Sequence, residues 1–282
     1  MIIFKEPVRL SLFLLQQVKQ NITTGFVPTM GALHKGHIAL IQNAVNENDL
    51  VICSIFVNPS QFNDPKDFEK YPKTIENDIY LLEKAGCAIL FLPTTNAIYP
   101  NGLQPTRRYE LGPLEHILEG KYRPGHFQGV CQVVHRLLDI VSPGKLYLGQ
   151  KDFQQCLVLK KLIELLDLDT ELVISPTLRE TDGLAMSSRN LRLTPDERAI
   201  APAIYQTLTE IKNNLQDGSS ISTLKQNAIS QLTEKGFKVD YVEIADRNNL
   251  EPINEYDSNH NLVALAAAYL NNVRLIDNLI LD

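Results

Sequence analysis

His34 and His37 stand three residues apart in the stretch PTMGALHKGH, between the short apolar run GFVPT and the helix-like IALIQNAV. At that spacing two imidazoles share one face once the first turn of a helix has begun. The unpaired N–H groups and dipole of a helix N-terminus favour an anion, and Gly31 and Gly36 let backbone approach it closely. Two imidazole donors so placed suit phosphate oxygens, and their hydrogen bonds strengthen as charge builds on a leaving group. Two other readings stay open. One histidine caps the helix while the other is exposed, or the pair holds a metal for which no third ligand is evident.

Other polar clusters also follow strand-like runs. Lys151, in LGQKD, is a hydrated point charge suited to a phosphate. Ser187, Ser188 and Arg189, in MSSRN, offer two hydroxyls and a guanidinium in succession, a set able to grip a polyphosphate. Gln61 and Gln155 are neutral amides that orient a polar substrate without ion pairing. Arg123 and His126, in KYRPGHFQG, are further anion-binding candidates. Taken singly, each has a bland alternative: a surface lysine, a chance serine–arginine loop, a solvent-facing glutamine.

Residues like these need strand ends to carry them. Up to about residue 175 the pattern alternates strands and helices. The strand runs are GFVPT, DLVICSIFV, CAILFLP, KLYLG and TELVISP. Between them lie HIALIQNAVNEN, TIENDIYLLEKAG, FQGVCQVVHRLLDIVSP and DFQQCLVLKKLIELL, all with helical spacing. The last has Asp152 as an expected N-cap. Such alternation predicts a doubly wound parallel sheet of the Rossmann type, whose ligands sit at the carboxyl ends of the strands.

After about residue 180 the texture changes. TPDERAIAPAIYQTLTEIKNNL reads as one helix capped by Thr194 with Pro195 at its first position. ISTLKQNAISQLTEKG reads as a second helix. KVDYVEIAD, LVALAAAYL and VRLIDNLIL read as strands, the last two joined by the hairpin signal Asn271-Asn272. The expectation is an α/β domain over residues 1–180 and a smaller C-terminal α+β domain over 181–282. Gly183, at the seam, is a candidate hinge. Residues 60–73 and 93–125 are loop-rich, a texture that often bears function.

Composition narrows the field. The chain has 282 residues, 44% of them apolar and 21% charged, and a formal net charge of −6. That balance disfavours a general nucleic-acid role. No apolar run approaches the roughly 20 residues that span a bilayer. VRLSLFLLQQVKQ, near the N-terminus, reads as an amphipathic helix rather than a signal peptide. The four cysteines, Cys53, Cys87, Cys131 and Cys156, lie far apart among apolar neighbours, so reduced core thiols in a cytoplasmic protein are expected.

PTMGALHKGH, FVNPSQF, YPKT, EGKYRPGHFQGV, LGQKDFQQ and DGLAMSSRN, in this order and at these separations, resemble the signatures of the pantoate–β-alanine ligases, from end to end of the chain. An HxGH alone marks only a wider nucleotidyl-transferring superfamily. The resemblance implies condensation of (R)-pantoate with β-alanine through a pantoyl adenylate, with ATP consumed to AMP and diphosphate. It implies Mg²⁺ with ATP, small-molecule partners without nucleic acid or membrane, a homodimer, a cytoplasmic location and a C-terminal domain acting as a lid. Carried over by position, Met30, Gly31, Ala32, Leu33, His34, Lys35, Gly36 and His37 line the ATP site, with His37 a proton donor. Gly149, Gln150, Lys151, Asp152, Met186, Ser187, Ser188 and Arg189 hold ribose and phosphates, and the backbone of Leu178 meets adenine. Gln61, Gln155, Asn58, Tyr71 and Arg123 serve the other substrates. No protein ligand for Mg²⁺ stands out; Asp78 and Glu76 are candidates that read equally well as solvated helix face.

Overall fold

A computed structural model describes residues 1–62, 68–69, 71–104, 107–216, 219–255 and 261–281. The chain divides into two compact units, Met1–Gly149 with Val158–Ser175, and Gln150–Leu157 with Pro176–Asp282. The change of sequence texture suggests a single boundary at 180. The units instead assign the short segment after Gly149 to the C-terminal residues.

The first unit is built on a parallel six-stranded sheet in the order β1-β4-β3-β2-β5-β6. Its strands are β1 (Ile2–Phe4), β2 (Thr24–Thr29), β3 (Leu50–Ile55), β4 (Ile89–Phe91), β5 (Lys145–Gly149) and β6 (Glu171–Ser175). The continuous apolar runs explain the arrangement. Phe26, Ile52, Leu90, Leu146 and Tyr147 are all fully buried, as strands covered on both faces require. β2 pairs with β3 on one side and β5 on the other, so the strand order reverses at β2. In open parallel sheets ligands sit in the crevice at that reversal.

Helices Lys35–Glu47, Ile75–Lys84, His126–Val141 and Phe153–Leu165 fall where periodicity places them. The helix Pro7–Val18 forms as expected and buries Leu10 and Leu14, but Val8, Leu12 and Leu15 are exposed, so its outer face is less polar than an amphipathic segment requires. Two details go beyond the sequence pattern. β1 is a three-residue edge strand paired to β4. A 3₁₀ turn, Gln150–Asp152, precedes the helix for which Asp152 is the expected cap. Within the loop-rich stretches, residues 63–67, 70 and 105–106 lie outside the described set. The rest holds the 3₁₀ turn Pro59–Gln61 and the short helices Thr95–Ile98 and Glu119–Tyr122.

The second unit has an antiparallel sheet in the order β7 (Phe237–Asp246), β8 (Leu262–Leu270), β9 (Val273–Ile280). Leu270 pairs with Val273 across the expected Asn271-Asn272 hairpin, where Asn271 takes φ +49°. Ile204, Leu208, Ile211 and Leu215, on one face of the helix Ala203–Gln216, pack in one core with Leu224, Ala228, Val242, Ile244 and the small Ala264, Ala266 and Ala268 of β8. The single helix expected from Thr194 onward is two helices, Pro195–Ile200 and Ala203–Gln216. Pro202 has no N–H to continue the ladder, so the chain turns there. The start is as expected: Thr194 and Glu197 form a reciprocal capping box.

All four cysteines are buried free thiols. Burial pushes Cys87 up to about 11 and Cys131 to about 12, so neither is a ready thiolate. Among the described residues no helix is long and apolar enough to cross a membrane.

Candidate functional site

The turn after β2 is shaped from both ends. Gly31 takes φ +82°, and a Cβ there would lie 3.0 Å from Ile55 and 3.1 Å from Asp78. Ala32 follows at φ +49°. That left-handed pair is held by Asp78, a fully buried carboxylate in the first turns of the helix Ile75–Lys84. Its Oδ2 accepts from the Ala32 N–H at 3.0 Å, and its Oδ1 from the Leu33 N–H at 2.8 Å and the Thr74 hydroxyl at 3.0 Å. A cavity of about 250 Å³ opens beside Met30, Gly31, Ala32, Lys73, Thr74 and Asp78.

The histidines resolve an alternative that the sequence leaves open, because both cap. His34 is the N-cap of Lys35–Glu47, and its Nδ1 accepts from the Gly36 N–H at 3.2 Å. His37 reaches back, its Nδ1 accepting from the His34 N–H at 3.4 Å. The rings lie 4.0 Å apart between centroids. With Nδ1 accepting in both, the proton of a neutral ring sits on Nε2, the nitrogen farther from the backbone. Capping therefore selects the tautomer that presents an N–H donor.

Gln61 closes the turn Pro59–Gln61. Its Oε1 accepts from Asn58 Nδ2 at 3.2 Å, and its Nε2 donates to Met30 Sδ at 3.2 Å. Asn58, 1% exposed, is held in turn by the Tyr99 hydroxyl at 2.8 Å and the Gly129 carbonyl at 3.1 Å. His126 Nδ1 lies 2.9 Å from the Gln61 carbonyl. The close approach rests on Gly129: a Cβ there would fall 2.3 Å from the Ser60 carbonyl oxygen. Tyr71 is buried edge-on to Phe62. Arg123 lies 3.8 Å from the Glu119 carboxylate. Sequence reasoning misses Tyr99 and Gly129. The glycine in HFQG, set in a helix where glycine is costly, is the available signal.

Gly149 ends β5 in the first unit, and the candidates from Gln150 onward belong to the second. Lys151 is mostly buried, with Nζ 3.5 Å from Asp152 Oδ2. Gln155 follows in the first turn of Phe153–Leu165 and is half-buried. The Leu178 carbonyl accepts from the Met186 N–H at 3.0 Å, closing the strap between them. Ser187 caps the 3₁₀ turn Ser188–Arg192 by accepting from the Arg189 N–H at 3.2 Å. Gly183, at φ +93°, is the corner of the strap, bonded through both its N–H and its carbonyl and packed against Tyr205.

Among the described residues no group of three or more His, Cys, Asp or Glu is set to hold a metal. Asp78 does not fit Mg²⁺, because its two oxygens already accept from two backbone N–H groups and a hydroxyl.

Fold and turn together define a doubly wound α/β protein with an anion-suited helix entry at the point where its strand order reverses. Comparison with known proteins makes the assignment specific. A family model described as pantoate-beta-alanine ligase matches residues 3–280, and the chain belongs to that family. It is 45% identical over 275 residues to a pantothenate synthetase of Cytophaga hutchinsonii, covering 97% of this chain and 96% of that one. A crystal structure of pantothenate synthetase from Thermus thermophilus superposes with a TM-score of 0.93 at 39% identity, over 100% of this chain and 99% of that one. The enzyme of Francisella tularensis, solved in complex with beta-gamma ATP and beta-alanine, superposes with a TM-score of 0.82 at 38% identity, over 99% and 97%.

Proposed function

We propose that the chain condenses (R)-pantoate with β-alanine through a pantoyl adenylate, releasing AMP and diphosphate. The family match over residues 3–280 carries this reading. A carboxylate is a poor electrophile at neutral pH, so it must be activated before an amine can attack it. In the first step an anionic carboxylate approaches an anionic α-phosphate. Two unit charges about 4 Å apart repel by roughly 4 kcal/mol at an effective dielectric near 20. Fixed cations and donors must offset that and stabilise the charge passing to diphosphate.

In this reading His34 and His37 donate hydrogen bonds from Nε2 to phosphate oxygens, and with its Nδ1 occupied in capping His37 steadies the departing charge as a hydrogen-bond donor. Lys151 and Arg189 supply cationic charge, and Ser187 and Ser188 neutral donors. Met30–His37, Gly149–Asp152 and Met186–Arg189 line the nucleotide, with the Leu178 backbone at adenine. Gln61 and Gln155 hold pantoate, supported by Asn58, Tyr71 and Arg123. Neutral amides suit that role. An arginine clamp would bind the carboxylate tightly but quench it as a nucleophile, whereas amides position it at lower ground-state cost. In the second step the neutral β-alanine amine attacks the held acyl adenylate, a step to which proximity contributes about 7 kcal/mol or more.

Mg²⁺ enters with ATP, in keeping with its habit of binding substrate phosphates. The C-terminal unit serves as a lid, and the enzyme works as a cytoplasmic homodimer. The test is AMP formation by purified protein with each substrate omitted in turn. AMP is expected only when ATP, pantoate and β-alanine are all present under catalytic turnover. Equal release without pantoate would overturn the reading.

A further inference from the structure

Lys151 sits on a turn of three residues, Gln150–Asp152, too short to be fixed by a helical ladder of its own. Its backbone is held from β9 instead. Asn278 Nδ2 donates to the Gln150 carbonyl at 2.9 Å and to the Lys151 carbonyl at 3.0 Å. Asn278 Oδ1 accepts from Gln150 Nε2 at 3.0 Å. Both N–H donors and the oxygen of one amide are thus spent on a single turn. Asn278 is 1% exposed, so no solvent competes for these bonds.

The neighbouring Asp277, also buried, grips a different segment of the same unit. Its two oxygens accept from Arg179 at 2.6 and 3.0 Å. Arg179 also donates to the Gly183 carbonyl at 3.0 Å and the Asn278 carbonyl at 3.2 Å, and lies 3.9 Å over the Tyr205 ring. Burial pushes the Asp277 carboxyl up from its ordinary value, while Arg179 pulls it back. A carboxylate and an amide side by side in a strand rich in Val, Leu and Ile carry a desolvation cost that apolar residues would not. What the pair supplies in return is placement: one residue fixes the turn that bears Lys151, and the other the strap that leads to Ser187, Ser188 and Arg189.

We infer that Asn278 is a positioning residue for the adenylation step, acting through the backbone that carries Lys151. The inference rests on the reading of Lys151 as a phosphate-binding cation. Two variants test it. Asn278→Ala removes the amide. Asn278→Asp keeps its volume and sets a carboxylate oxygen against two carbonyls in place of the two donors. Single-turnover adenylation is expected to slow by roughly 10²-fold in both, the scale of a small misplacement of a reacting group. kcat/KM for β-alanine, which reports only the step after adenylation, should not change. In a Lys151→Ala background, Asn278→Ala should add no more than about a further twofold, because residues acting through one group are not additive.

Wild-type adenylation in a folded Asn278 variant would overturn the inference. So would a fully additive loss in the double variant, or failure of both variants to fold, which would make Asn278 purely structural. Full activity of Lys151→Ala alone would instead sink the assignment of Lys151, so the two failures are told apart.

Discussion

The His34–His37 turn and the Lys151 turn are both short, and both are fixed by a buried side chain from elsewhere in their own unit, yet the side chains differ. The histidine turn aims the N–H groups of Ala32 and Leu33, just ahead of the helix cap, at one point, and Asp78, an acceptor, holds them. The lysine turn presents carbonyls, and Asn278, with two donors, holds those. The near-isosteric pair Asp and Asn is therefore not interchangeable here. Which one appears follows from the backbone groups the turn leaves over. A second difference concerns the functional groups themselves. The imidazoles bond their own backbone through Nδ1, whereas Lys151 reaches the side chain of its neighbour, Asp152.

The largest expected effects exploit that second difference. Lys151→Ala should slow adenylation by roughly 10²- to 10³-fold, the cost of losing a transition-state donor, with no change in thermal midpoint. His37→Ala should slow it by about 10²-fold and also cost about 1 kcal/mol of stability through the lost cap. His37→Gln separates the two effects. A glutamine at the third helical position can restore the capping bond, so stability should recover while the rate stays low. Recovery of the rate with stability would refute the imidazole's role and leave His37 as a cap alone.

A smaller effect is expected at Asp78. Asp78→Asn keeps one oxygen for Leu33 and Thr74 but turns an NH₂ toward the Ala32 N–H, donor against donor. Leaving that buried N–H unmet should cost about 1–3 kcal/mol in denaturant unfolding. It should also raise the KM for ATP, since the loosened turn carries His34 and His37. Unchanged stability and KM would break the parallel with Asn278.

These residues also mark how far the sequence can be read. The parallel strands, the helix after HKGH and the Asn271-Asn272 hairpin are legible because each is a local pattern: apolar runs, a 3.6-residue stripe, a two-residue turn. The histidine spacing points to the turn that the structure builds around it. Asp78 is legible only as a carboxylate on a helix, because the backbone groups it holds lie 45 and 46 residues away. Asp277 and Asn278 leave a trace, two polar residues in the middle of an apolar strand, but their partners 98 and 128 residues away leave none. The break at Pro202 escapes notice for the opposite reason: the stripe on either side of it continues so well that it masks a local stop.

The least effect is expected at the outer end of the strap, where the comparison becomes one of buried against exposed pairing. Arg179 and Asp277 are bidentate and mostly buried, while Arg198 and Asp182 are about two-fifths exposed, with side-chain exposures of 36% and 41%. The Arg198 guanidinium beside Asp182 holds its carboxyl below the ordinary 3.8. A lowered carboxyl stabilises the fold above its unfolded value, and that contribution is lost as pH falls through the folded value. Exposed pairs are worth about 0–1 kcal/mol after screening. Arg198→Ala should therefore lower the thermal midpoint only slightly at pH 7, and the difference from wild type should vanish as pH falls below about 3.8. Salt at 1 M, where the Debye length is about 3 Å, should shrink it further. A large loss at pH 7, equal to that of Arg179→Ala, would mean that the strap hangs on its exposed pair as much as on its buried one, and the contrast drawn between them would be wrong.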